Sequence, residues 1–162
     1  MSQIIFLIVH FSTREGRLKS LQFKILHHIY PTNILLCKMG IRNSNSCSYC
    51  NEIDSLAHFF FECHSLTTFW NFVESLIHLI VGKQITINTN KALFGITTDE
   101  IMNRNCLKES NILILLGKLS ISKNRYTQNP KQLRLILEHE ILLRRKYLKI
   151  LDEELGNKPT FF

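Results

Sequence analysis

The stretch CSYCNEIDSLAHFFFEC, residues 47–63, decides how this chain is organised. It carries Cys47-x2-Cys50-x7-His58-x4-Cys63, the only metal-like cluster in the sequence. Zinc takes four tetrahedral ligands, and thiolates with an imidazole supply them without redox chemistry. A Cys-x-x-Cys turn lets two sulfurs grip one ion. A His and a Cys five residues apart meet it from the first turn of a helix and its far end. Four protein ligands close the shell and leave no position for a catalytic water. Apart from Phe59, Phe60 and Phe61 the segment is too polar to make a core, which favours a metal as its organiser. Two alternatives stand beside this set: His64 in place of His58 or Cys63, or unrelated thiols with a surface histidine. Cys37 and Cys106 read as small buried apolar residues.

Working outward, the residues on both sides read as helices. Upstream, Leu18, Leu21, Ile25, Leu26 and Ile29 form a helical stripe from Arg17 to Tyr30, which Pro31 ends. Thr32 can cap a short second helix to Met39, stopped by Gly40, and the polar run from Arg42 to Cys50 is a loop and tight turn. Asp54 or Ser55 can cap the turn that carries His58. Downstream, Leu66, Phe69, Trp70, Val73, Leu76, Ile77 and Ile80 give the cleanest amphipathic pattern, a helix from Ser65 to Gly82. Residues 83–98 alternate weakly, as a short strand or an ordered loop. Thr97 and Glu100 have capping-box spacing for a short helix through Ile101 and Met102. Ile112 to Ile121 is nearly all apolar and reads as a buried helix. Asn129-Pro130 opens a long helix to Leu155-Gly156. The fold class is mostly α: a small helical domain stapled by a zinc site of three cysteines and one histidine, followed by a helical C-terminal extension.

Composition excludes several functions. The 162 residues hold 20 Lys and Arg against 13 Asp and Glu, a formal charge of +7 that suits a polyanionic partner. Only three aspartates are present (Asp54, Asp99, Asp152), and the glutamates are scattered. A two-metal nuclease or polymerase centre needs several converging carboxylates, so catalysis by this chain is not expected. Two alanines beside 20 isoleucines and 13 asparagines reflect biased coding DNA rather than a prion-like segment. Five cysteines are an odd number, and Ile4 to Phe11 is too short and too poorly flanked to be a signal peptide or a membrane span. The expected setting is therefore intracellular, nuclear or cytoplasmic rather than secreted, with no membrane and no small-molecule substrate.

The run LQFKILHHIYPTNILLCKMGIRNSNSCSYCNEIDSLAHFFFECHSLTTFWNFV resembles the zinc-binding domain at the C-terminal end of reverse transcriptases from LINE-type (non-LTR) retrotransposons. The shared features are Pro31-Thr32, Gly40, Cys47, Cys50, Asp54-Ser55 before His58, Cys63, and Phe69-Trp70, with Asp54 standing where that family has glutamate. The resemblance covers about residues 17–80, and NILILLGKLSISKNR (residues 111–125) resembles the tail that follows it. It implies residues 1–16 as a non-matching start, 17–82 as the zinc-binding module and 83–162 as the extension. It also implies one structural Zn2+ and a module of a larger RNA-directed DNA polymerase whose catalytic motifs are absent here.

The partner is then template RNA or single-stranded or target DNA, or else the polymerase part of the parent element. Arg17, Lys24, His27 and His28 on the first helix, with Lys38 and Arg42, form either a phosphate-facing strip or a solvated face. Arg144, Arg145, Lys146 and Lys149 make a denser cluster on the last helix, where Glu140 can pair with Arg144. The three phenylalanines either stack on bases or, more often for such runs, pack with Phe69 and Trp70.

Overall fold

The computed structural model describes residues 13–125 and 129–154. The apolar start from Met1 to Phe11 and the proposed stop at Leu155-Gly156 lie outside the described residues. The elements are α1 (Gly16–Leu26), α2 (Asn33–Lys38), a π turn (His58–Glu62), a 3-10 turn (His64–Leu66), α3 (Thr67–Val81), α4 (Thr89–Phe94), α5 (Arg104–Lys123) and α6 (Pro130–Glu154). Among the described residues the only β pairing is one bridge, Ser46 with Ile53. No helix among them is long and apolar enough to cross a membrane. The protein is mostly α, as its periodicities predict.

Helix α5 is the centre, with α1, α3 and α6 packed on it. Every residue from Ser110 to Ile121 is buried, so the nearly continuous apolar run marks a helix covered on all sides. Helix α3 turns Phe69, Trp70, Val73 and Ile77 inward and ends at Gly82, whose φ of 75° completes the left-handed cap. Trp70 and Phe69 close over Gly117 of α5, where a Cβ would sit 3.5 Å from the indole.

Several buried polar groups in this core are partnered across long stretches of sequence, although the buried Ser110 hydroxyl has no hydrogen-bond partner among the described residues. The Asn111 carboxamide accepts the Ile96 N–H (2.7 Å) and donates to the Ile96 carbonyl (3.0 Å). Lys118, fully buried, donates to Gln22 Oε1 (2.5 Å) and to the Leu93 carbonyl near the C-terminus of α4 (2.9 Å). Burial lowers its amine to about 7. On α6, Leu133, Leu137, Glu140 and Arg144 are buried. The Glu140 carboxylate receives Arg17 and Lys123 rather than Arg144, which reaches Glu15 Oε1 at 2.6 Å. The expected intrahelical Glu140–Arg144 pair gives way to links that tie α6 to the entry of α1 and the end of α5.

Two further local readings are corrected, and the alternatives left open for residues 83–98 are decided. Helix α1 stops at Leu26, because His28 enters the left-handed region (φ 54°) and the N–H groups of Ile29 and Tyr30 both return to the Lys24 carbonyl. That turn swings Tyr30 inward and leaves Ile29 on the surface. Residues 83–98 hold no strand: Ile85 and Ile87 plug the core from a loop, and Asn88 caps α4 through the Lys91 N–H (2.9 Å). Thr97 to Glu100 is only a turn, since the Glu100 carboxylate is held by Lys91 at 2.6 Å and α5 starts later at its Asn103 cap.

Candidate metal centre

The tight turn at residues 47–50 is closed by the Asn51 N–H to the Cys47 carbonyl (3.1 Å), with Asn51 left-handed at φ 62°. The Cys47 N–H to the Glu52 carbonyl (2.7 Å) and the Asp54 N–H to the Asn45 carbonyl (2.9 Å) pin both arms of the loop together. Ser55 caps the next turn by accepting the His58 N–H at 3.0 Å. Asp54 works elsewhere. Buried, it accepts the Asn33 N–H at 2.8 Å and fastens the loop to the start of α2, while Thr32 caps α2 from the other side. The acid and the hydroxyl before His58 thus cap two separate helical segments.

From His58 the chain makes a π turn, with the Cys63 N–H bonding back to the His58 carbonyl at 3.1 Å. The wider turn brings two residues five apart onto one side. Cys47, Cys50, His58 and Cys63 offer four ligand atoms that all lie within 4.8 Å of one another. Cys50 Sγ is 3.2 Å from His58 Nε2 and 3.9 Å from Cys63 Sγ. Tetrahedral zinc with Zn–S bonds of about 2.3 Å requires sulfur–sulfur edges of about 3.8 Å, so the donor set and its spacing fit that ion. The alternative ligand His64 lies exposed and outside the cluster, as do the half-buried Cys37 and Cys106.

Burial raises the Cys47 thiol to about 11, even though the backbone N–H groups of Tyr49 and Cys50 point to its sulfur and favour the thiolate. A divalent cation reverses that preference, so zinc binding releases protons and supplies the charge compensation the cluster lacks. The Ser65 hydroxyl lies 3.1 Å from Cys63 Sγ, a partner that sequence spacing does not reveal. Behind the ligands, the Tyr30 ring packs tilted against Phe59 and edge-on against Phe60, with centroids at 5.2 and 4.8 Å, and the Trp70 indole donates to the Phe60 carbonyl at 2.8 Å. Phe61 sits against Trp70. The three phenylalanines are therefore packing residues, the second of their two readings.

The basic residues do not form one strip. Arg17 pairs with Glu15 and Glu140, and Arg144 is buried against Glu15. Lys24, Lys38, Arg145 and Lys146 are exposed, and none has an ion pair among the described residues. His28 is exposed and shapes the exit of α1. Arg42 lies beside the zinc site, in a pocket with Cys47, Tyr49, Asp54 and Arg125. Nothing in the chemistry of its sequence neighbours marks Arg125.

No curated protein and no solved structure matches this chain. A family model described as zinc-binding in reverse transcriptase matches residues 4–70, a span that contains all four ligands and ends at Trp70. Residues 4–70 are thus similar to the zinc-binding part of reverse transcriptases, and Cys47, Cys50, His58 and Cys63 form a site that fits one structural zinc.

Proposed function

We propose that this chain is a nucleic-acid-binding zinc module from the C-terminal part of a LINE-type retrotransposon reverse transcriptase, acting inside the cell to help hold template RNA or target DNA, without catalysis of its own. The observation that carries this reading is the closed shell of three thiolates and one imidazole within the reverse-transcriptase match, set in a strongly basic chain. Three thiolates and one divalent ion add −1, so the formal +7 becomes +6 with zinc bound. Arg42 supplies an unpaired cation beside the zinc site, and Lys24, Lys38, Arg145 and Lys146 supply others on the surface. Phosphate contacts of this kind carry no base information, so binding is expected to be weak, salt-sensitive and tolerant of sequence.

The test is a titration of zinc-loaded protein into labelled single-stranded RNA and DNA at several salt concentrations, with primer-extension and magnesium-dependent cleavage assays alongside. Affinity that falls steeply with salt, with neither activity present, supports the proposal. Absence of binding at low salt overturns it. A second reading, a module that docks on the polymerase, is favoured by one observation: α6 leaves Leu142, Leu143, Tyr147 and Ile150 exposed.

A further inference from the structure

We propose that the half-open pocket beside the zinc site is the seat of one phosphodiester group of a bound strand, gripped by Arg42 and Arg125. This inference rests on the nucleic-acid reading above and gives it a location. The two arginines come from parts of the chain that sequence separates widely: Arg42 follows α2, and Arg125 follows α5. Both line the same pocket, with Ser48 and Tyr49 on its wall.

Arg125 is already positioned. Its guanidinium lies 5.4 Å from the Phe59 ring centroid, Nη2 donates to Asn33 Oδ1 over a long 3.5 Å, and its own carbonyl takes the Tyr49 hydroxyl at 3.4 Å. Neither arginine has a carboxylate within ion-pair distance among the described residues, and the Arg42 side chain has no hydrogen bond there either. Two arginines with donors to spare therefore line one concave spot. Asp54 also lines the pocket, with one oxygen committed to the Asn33 N–H. The zinc–thiolate shell and Asp54 each contribute one negative charge, so the arginines bring the pocket to neutrality rather than to a broad positive field. Selection there comes from unsatisfied N–H donors, those of Arg125 held in place by Phe59 and Asn33, and a planar fork fits the paired oxygens of a phosphate. The half-buried Tyr49 ring at the same wall offers a face for the adjoining base.

The experiment measures fluorescence anisotropy of a short labelled single-stranded RNA with the full chain and its Arg42→Gln, Arg42→Lys and Arg125→Gln variants, each checked for zinc content. Arg42→Gln is the fold-safe probe, because that side chain holds nothing else together. Each Gln variant is expected to weaken binding roughly tenfold and to reduce the salt slope by about 0.7, the share of one single-strand phosphate, with zinc stoichiometry unchanged. Arg42→Lys should recover the slope but only part of the affinity, since it keeps the charge and loses the fork. If the wild type binds and both Gln variants match it, the pocket is not the seat while the nucleic-acid reading stands. If the variants lose RNA only in step with zinc, the arginines serve the metal and the inference fails. If the wild type itself does not bind at low salt, both proposals fall.

Discussion

Between residues 40 and 53 only Cys47 is buried, whereas from Ser110 to Ile121 nothing is exposed. The first stretch is held by backbone bonds across a short loop, a capping carboxylate and four ligands for an ion. The second is held by apolar area, at about 25 cal/mol for each Å² removed from water. A loop of Asn, Ser and Cys has too little to bury, so its order waits on zinc. A helix of Ile and Leu has so much to bury that it carries Lys118, Ser110 and Asn111 into the core with it. The lesson is that neighbouring parts of one small protein can be stabilised in different currencies, and agents that attack one should spare the other.

Removing the metal is the sharpest way to test this, with structural zinc worth about 10–16 kcal/mol of apparent binding free energy in small fingers. Chelation, or the Cys47→Ser/Cys50→Ser double variant, should abolish zinc binding. Hydrogen exchange should then become fast across 42–63 while α5 keeps its protection. Equal loss of protection in α5 would show that the two regions melt as one unit.

The contrast can also be broken from the other side, at the ion cluster that secures α6. Burial pushes the Glu140 carboxyl up, but the hydrogen bond from Lys123 and the charge of Arg17 outweigh it, so its pKa lies below the usual carboxylate range. A depressed folded pKa contributes stability that is present above the unfolded value and lost as pH falls through the folded one. Glu140→Ala should cost about 2 kcal/mol, less than for a fully buried pair because Arg17 and Lys123 are 38% and 47% exposed. Thermal melting should show this loss with zinc content unchanged, and part of the acid-induced destabilisation should disappear.

Lys118 gives a smaller effect with the same pH sense, in a higher pH range. Its amine falls to about 7 in the folded chain from 10.5, so between those values the unfolded state binds more protons and stability rises with pH. Denaturant melts from pH 7 to pH 10 should show the wild type gaining on Lys118→Met. At pH 10 the variant should be the weaker by about 1–2 kcal/mol, because Gln22 Oε1 loses its donor. Gly117→Ala closes the series: its Cβ meets Trp70 at an ordinary contact distance, and relief of helix entropy should stabilise by about 0.5–1 kcal/mol. A lower melting temperature for that variant would show that Trp70 cannot give way.

The metal ligands were legible because their chemistry is local: Cys-x-x-Cys and His-x4-Cys state their purpose within 17 residues. Helices α3 and α6 were legible from apolar spacing and caps, down to Gly82 at the end of α3, whereas α5 was legible only in its buried run Ile112–Ile121 and not in its Asn103-capped start. The early end of α1 was not, because Tyr30 is drawn out of register by partners that lie in distant sequence, Phe59, Phe60 and Ser122. For the same reason Arg17 and Arg144 read as surface charge, when each answers an acid supplied from elsewhere. The role of Arg125 emerges only when Phe59 and Asn33 are placed beside it.

One practical consequence follows from how α5 lies against α1 and α3. A fragment cut after Gly82 would keep every zinc ligand, yet it would bare Leu18, Trp70 and Ile77 and strip Tyr30 of Ser122. Such a fragment should chelate zinc and still cling to itself through that uncovered face, so expression boundaries for this protein belong beyond the last turn of α5 rather than at the edge of the metal loop.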